Sequence, residues 1–377
     1  MRVIVIGGGI VGTSAAYHLS RRGVSVTLVD AAERGQATAA GAGIVFPWPF
    51  PWDPEPVRAF SFAAAAHYPL LMADLAADGG DPGYDVVGGL SVSGSEPGLD
   101  QEHAMLGRLG AQPGYEGMGD VARLPAGEPA RRFPVLPEHY SGVSVAGMAR
   151  LDGRMARDAL FNAAEERGMR HRTGAAELLA GSGGVRGVRV DGEDLPADAV
   201  IVAAGAWTAR LLAPFDVAVP VHPVRGQITH LALPGHRTAD WPVVRFSDRD
   251  QYMLTFGPNR LVLSGTREPE AGFDHRVTAA GLREVLDAGL DAAPGAADGT
   301  VLETRVGFRP GSSDGLPILG TPRHLPGVVV ATGLGASGLT FGPYQGALAA
   351  GLAVGEAPGF DIEDFRPDRE PAAPEAP

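Results

Sequence analysis

The chain has 377 residues, of which 45% are hydrophobic and 20% charged, and its formal net charge is -13. That is too long for one ordinary core and suits two domains, or one domain with a second inserted. All 31 basic residues are Arg and no position is Cys. This excludes a P-loop lysine, Schiff-base chemistry, disulfides, thiolate metal sites and cysteinyl cofactor attachment, and the acidic balance excludes a nucleic-acid footprint.

In chain order, Val3 to Ile6 is a β-branched run that meets Gly7, Gly8 and Gly9, the pattern of a buried parallel strand. Val11, Ala15, Ala16 and Leu19 recur at helical spacing between Ile10 and Arg22, Gly23 ends the helix, and Val24 to Val29 makes a second strand. The predicted unit is βαβ. Its apolar start is broken by glycines and continues as an amphipathic segment, so it reads as structure and not as a signal peptide. No run of about 18 apolar residues is free of charges and turn residues, so no transmembrane segment is expected and a cytoplasmic location is.

Gly7, Gly9 and Gly12 spell G-x-G-x-x-G at the strand-to-helix junction, with Ile10 opening the helix. The first glycine permits the tight turn, the second lets backbone approach a pyrophosphate, and the third lets helix and strand pack closely. The helix N-terminus then faces the phosphates. Asp30, 18 positions after Gly12, closes the second strand and suits a ribose hydroxyl. An acid there disfavours a 2'-phosphate, which leaves NAD and FAD.

Beyond Asp30, the segment AAERGQATAAGAGIVFPW resembles the D-amino acid oxidase superfamily of FAD-dependent oxidoreductases, which includes glycine oxidase, sarcosine oxidase and D-amino acid dehydrogenase. Ala39, Ala40, Gly41, Ala42 and Gly43 match the family's small-residue loop beside the flavin. Two later segments extend the resemblance: DAVIVAAGAWTARL, a strand ending in Ala204 and Gly205, and VVVATGLGASGLTFGPYQGALAAGLA, a strand, glycine-rich turn and helix. It implies that Ala175, Ala204, Gly205, Gly333, Gly335, Ser337, Gly338, Leu339 and Thr340 lie at the cofactor, and that backbone N–H groups of the last turn support negative charge on the pyrimidine side. The implied cofactor is FAD. Neither His nor Cys occurs in ATAAGAGIVFP, so non-covalent binding is expected.

The implied fold is α/β, a Rossmann-like FAD-binding domain with an inserted antiparallel-sheet substrate domain. Residues 1–80, 142–212 and 300–364 are expected in the first and 81–141 and 213–299 in the second. Hairpin patterns in 85–93 and 245–267 support a sheet in the inserted pieces, and AGSGGVRG at 180–187 reads as a hairpin turn. The tail 365–377 is expected to be disordered.

GFRPGSSDGLPILG places Arg309 where the resemblance puts a substrate-carboxylate ligand, a role suited to a bidentate guanidinium. Arg305 is the competing candidate. Tyr252 in DQYMLTF matches a family tyrosine that faces the carboxylate or amine, whereas Arg225 and Gln227 read as structural. The run VFPWPFPW sets Phe46, Trp48, Phe50 and Trp52 either at the pocket or in packing between domains. Gly311, Ser313 and Gly315 spell an accidental G-x-S-x-G flanked by prolines, and the ten His form no metal motif; no metal is expected.

The implied reaction is oxidation of the C–N bond of an amino acid or small carboxylated amine to an imine that hydrolyses to an oxo acid. The alternatives are C–O oxidation of a 2-hydroxy acid and a non-catalytic flavin-retaining protein. The acceptor is oxygen or another oxidant; the absence of Lys leans mildly towards a dehydrogenase.

Overall fold

The computed structural model describes residues 1–181 and 183–370. The predicted βαβ unit is present as strand Arg2–Ile6, helix Ile10–Arg21 and strand Ser25–Asp30. Val3 to Ile6 are all buried because a parallel strand lies on either side, Ala199–Val202 and Ser25–Asp30, in registers that place Val3 opposite Ala199 and Val26. The full six-stranded sheet runs Ile318–Gly320, Val328–Thr332, Ala199–Val202, Arg2–Ile6, Ser25–Asp30 and Arg170–Thr173. Only its edge pair, Ile318–Gly320 with Val328–Thr332, is antiparallel. This is the Rossmann-like half of the expected fold.

The first helix packs against the C-terminal helix Gly338–Ala353 through small residues. A Cβ on Gly346 would stand 2.4 Å from the Val11 carbonyl oxygen, and Ser14 Oγ donates to the Pro343 carbonyl at 2.6 Å. Only glycine at 346 permits that approach, so the two glycine-rich motifs at opposite ends of the sequence are fixed side by side.

An eight-stranded sheet runs Thr300–Ser312, Val221–Ala232, Arg260–Leu263, Tyr252–Phe256, Val243–Phe246, Gly89–Ser93, Ser141–Val145 and Val121–Leu124. It is antiparallel as expected except where Val243–Phe246 runs parallel to Gly89–Ser93. The boundary expected at residue 300 does not divide the sheets: Thr300–Ser312 pairs with Val221–Ala232 along its length. Ser141–Val145 likewise belongs to this sheet and not to the first. The residues of neither strand, SGVSV or TVLETRVGFRPGS, state which sheet it joins. Ala176–Gly181 and Gly184–Val190 form the predicted hairpin.

The expected tail disorder is corrected for residues 365–370. Phe365 is completely buried with its ring edge-on to Phe60, and Arg369 forms an ion pair with buried Asp314 at 2.7 Å. One aromatic side chain and one paired guanidinium anchor a segment whose composition alone argued against packing. Residues 371–377 lie outside the described residues. Among the described helices none is long and apolar enough to cross a membrane.

Candidate flavin and substrate site

A cavity of about 960 Å³ lies between the two sheets, at the carboxyl ends of the parallel strands. That is the upper range of ligand sites, roughly 300–1,000 Å³. Gly7, Gly9 and Ile10 line it beside Asp30. Gly7 has φ +108, and a Cβ there would meet the Ala203 carbonyl oxygen at 2.3 Å, so only glycine fits this turn. Gly12 stands behind the wall, where its own Cβ would collide with the Gly7 carbonyl oxygen. No side chain caps the first helix at Gly9, although Thr38 Oγ1 accepts from Ile10 N–H at 3.0 Å. The open helix end is an anion site.

Asp30 is held in place before any ligand arrives. Its carboxylate accepts from Gly8 N–H, from Ala32 N–H at 2.5 Å and from Gln36 Nε2 at 3.1 Å. Thr38 and Gln36 were not singled out in the sequence, because a polar residue in a small-residue loop carries no local sign of which group it will bond.

Gly41 and Gly43 line the cavity, as do Ala175, Ala204 and Gly205. The expected loop includes a short helix, Ala37–Ala40. Ala39 and Ala40 are outside the cavity lining: the Ala39 carbonyl accepts from Arg154 at 3.1 Å, and a Cβ on Gly307 would lie 2.6 Å from the Ala40 methyl. At the other end Gly335, Gly338 and Leu339 line the cavity. Gly333, Ser337 and Thr340 support this turn from outside the lining. Gly333 has φ +79, Ser337 precedes the C-terminal helix, and Thr340 Oγ1 donates to the Ile44 carbonyl at 3.0 Å. Gln345 is a further unanticipated member. Fully buried and in the lining, it donates through Nε2 to the Thr332 and Ile318 carbonyls at 2.8 and 3.1 Å, tying the turn to the strand ends.

Arg309 and Tyr252 line the same cavity. Arg309 Nη1 donates to the Thr266 carbonyl at 3.0 Å, and no carboxylate lies within 4.0 Å of it among the described residues. Its guanidinium occupies space left by two glycines: a Cβ on Gly226 would be 2.3 Å from Nη1 and one on Gly265 would be 3.3 Å from Nη2. Arg305 differs. It is buried and held by Glu303 at 2.6 Å, outside the cavity lining.

Arg225 and Gln227 are buried in a network with Glu268. Arg225 pairs with Glu268 and with Asp274 at 3.0 Å, while Gln227 Nε2 donates to Glu268 at 2.8 Å. Burial pushes the Glu268 carboxyl upward, but hydrogen bonds from Arg225, Gln227 and Thr266 outweigh it and hold the group below its ordinary value. Arg225, Gln227 and Glu268 lie outside the cavity lining, whereas Arg267 and Asp250, both exposed, belong to it, and Trp207 stacks on Phe273 near Phe308.

The aromatic run does not line the cavity. Trp48 packs with Leu99, Tyr115 and Met118, and Phe46, Phe50 and Trp52 continue outward as a stack ending in the exposed Trp52. Among the described residues no cluster of three potential metal ligands occurs.

The open helix end, glycine-lined floor and length from Asp30 to the Gly335–Leu339 turn fit a flavin dinucleotide. The model of the FAD dependent oxidoreductase family, DAO, matches residues 2–352, and the chain belongs to that family. It is 42% identical to the crystal structure of iminodiacetate oxidase from Chelativorans sp. BNC1, with a TM-score of 0.92 over 97% of this chain and 99% of that one. It is 41% identical to the uncharacterised oxidoreductase YurR of Bacillus subtilis (strain 168), over 97% and 98% of the two chains. The glycine oxidase structure from Geobacillus kaustophilus is 26% identical with a TM-score of 0.83, covering 98% and 99%. The cofactor is therefore FAD, and the chain is a flavin-dependent oxidoreductase.

Proposed function

We propose that the chain oxidises the C–N bond of a small amine bearing a carboxylate, with Arg309 as the carboxylate ligand. The observation that carries this is a cavity-lining guanidinium, fixed by the Thr266 carbonyl yet without an internal carboxylate. The relatives named for iminodiacetate and glycine oxidation point to the same bond. Bound FAD supplies the hydride acceptor. Arg309 sets the position and angle of the substrate carbon through a bidentate carboxylate contact, and Tyr252 lines the same cavity.

Among the described residues no histidine lines the cavity. The amine enters neutral, loses its remaining proton to solvent, and becomes an imine as hydride leaves the carbon; water then yields an oxo acid and the released amine. The FAD is non-covalent, so acid precipitation should leave the yellow colour in the supernatant.

Anaerobic bleaching of the bound flavin by glycine, N-methylglycine, iminodiacetate and D-amino acids, with 2-hydroxy acids as controls, tests the bond class. Bleaching by hydroxy acids alone sinks the proposal. Arg309→Leu should raise KM for a carboxylated amine about 100-fold or more while flavin is retained, as expected for a lost charge-assisted pair. Oxygen consumption against dye reduction on one sample identifies the acceptor.

A further inference from the structure

We propose that Arg267 is a second carboxylate-binding residue, so that the cavity selects secondary amines carrying two carboxylates, one held by Arg309 and one by Arg267; this rests on the C–N oxidation reading above. Residues 264–268 run in ladder against strand Val221–Ala232. Thr266 N–H donates to the Gln227 carbonyl at 3.2 Å, Glu268 N–H donates to the Arg225 carbonyl at 3.0 Å, and Arg225 N–H returns to Glu268. Side chains along such a segment alternate between faces.

Thr266 and Glu268 share the buried face, where the Thr266 hydroxyl donates to the Glu268 carboxylate and accepts from Gln227 N–H at 3.1 Å. Gly265 and Arg267 take the opposite face, and both line the cavity. The space that a side chain at 265 would fill is filled by the Arg309 guanidinium, 3.3 Å from the absent Cβ. The carbonyl that holds Arg309 belongs to the residue immediately before Arg267. Arg309 and Arg267 thus line one cavity from adjacent anchors.

Neither is neutralised by the protein. Acidic residues outnumber basic ones 44 to 31, so partners were abundant, yet no carboxylate lies within 4.0 Å of Arg267 or Arg309 among the described residues. Asp250, also in the lining beside Tyr252, forms no ion pair with either. One cation suffices for glycine or N-methylglycine. A second on the same wall calls for a second anion, and an amine with a carboxymethyl group on each side of nitrogen supplies it. Hydride leaves one CH₂, the proton leaves nitrogen, and water splits the imine into a 2-oxo acid and an amino acid.

The test uses the holoenzyme and two readouts. Turnover compares iminodiacetate with N-methylglycine. Binding compares diglycolate with methoxyacetate, ethers without a C–N bond, by their perturbation of the flavin spectrum. The wild type should prefer the two-carboxylate member of each pair by about 10- to 100-fold, the range of hydrogen bonds to charged groups. Arg267→Gln should remove that preference, raising KM for iminodiacetate and Kd for diglycolate about 10-fold or more beyond any change for N-methylglycine and methoxyacetate. Arg267→Lys should recover part of the loss. Because Arg267 is exposed, the melting temperature should hold. Preferences unchanged in Arg267→Gln overturn the proposal. Failure of every carboxylated amine to bleach the wild type overturns C–N oxidation instead, and the ether ligands still decide whether Arg267 holds a second carboxylate.

Discussion

At the scale of single residues, the site is shaped as much by absent side chains as by present ones. Arg309 can lie over the strand Val221–Ala232 because position 226 has no Cβ; an alanine there would place a carbon 2.3 Å from Nη1. The guanidinium is the movable party, so Gly226→Ala should fold and keep FAD but displace Arg309. KM for the carboxylated substrate should rise about 10-fold or more, since small misplacements of a positioning group are costly. Steady-state kinetics with a flavin absorbance count decide it, and an unchanged KM would show that Arg309 does not need its present location. Arg309 itself was legible from the sequence through GFRPGSSDGLPILG. Gly226 and Gly265 were not, because they matter only through a contact made by a strand far along the chain.

At the scale of elements, the C-terminal segment shows how a few residues override composition. Phe365 is fully buried against Phe60 in the core beneath the first sheet, and Phe360 packs against both. Phe365→Ala should cost about 3–5 kcal/mol, the usual range for emptying a buried aromatic site. Urea unfolding would read this as a lower midpoint with an unchanged slope. A midpoint equal to wild type would mean the segment contributes nothing to stability. The fingerprint strand, helix and second strand were readable to within a residue or so because periodicity and glycine punctuation are local. The membership of Thr300–Ser312 in the eight-stranded sheet was not, since its mix of charged, apolar and small residues, exposed over Thr300–Glu303, does not state which strand lies beside it. The same ambiguity held for the aromatic run 46–52, which fills a packing site, while the aromatic residues of the cavity, Trp207, Phe215, Tyr252 and Phe308, come from later in the chain.

At the scale of the whole molecule, acid should destabilise the protein in two separate windows. Burial pushes the imidazoles of His18, His67 and His230 down to about 3, about 4 and about 4. His18 is lowered further by His67, Arg22 and Arg21, and His230 by Arg305 and Arg260, whereas Asp74 partly offsets the shift at His67. The folded chain therefore keeps these rings neutral where the unfolded chain, near pH 6.5, begins to protonate them. Stability from this source is complete above about pH 6.5 and falls as pH drops towards 4, because there the unfolded state binds more protons. Asp152, Glu268 and Asp314 have linkage of the same sign in a lower window: their folded values are depressed, chiefly by Arg260, Arg225 and Arg369 acting against burial, so the unfolded state again binds more protons. Their contribution is lost only as pH falls below the ordinary carboxylate range. Each pKa unit is worth about 1.4 kcal/mol, so the histidine window alone should lower the urea midpoint visibly between pH 7.5 and 5. His18 and His67 sit with ring centroids 5.2 Å apart, remote from the flavin cavity. Replacing both with Gln should flatten the pH 5–7.5 slope without changing substrate KM. A slope as steep as wild type would remove these two rings as its cause.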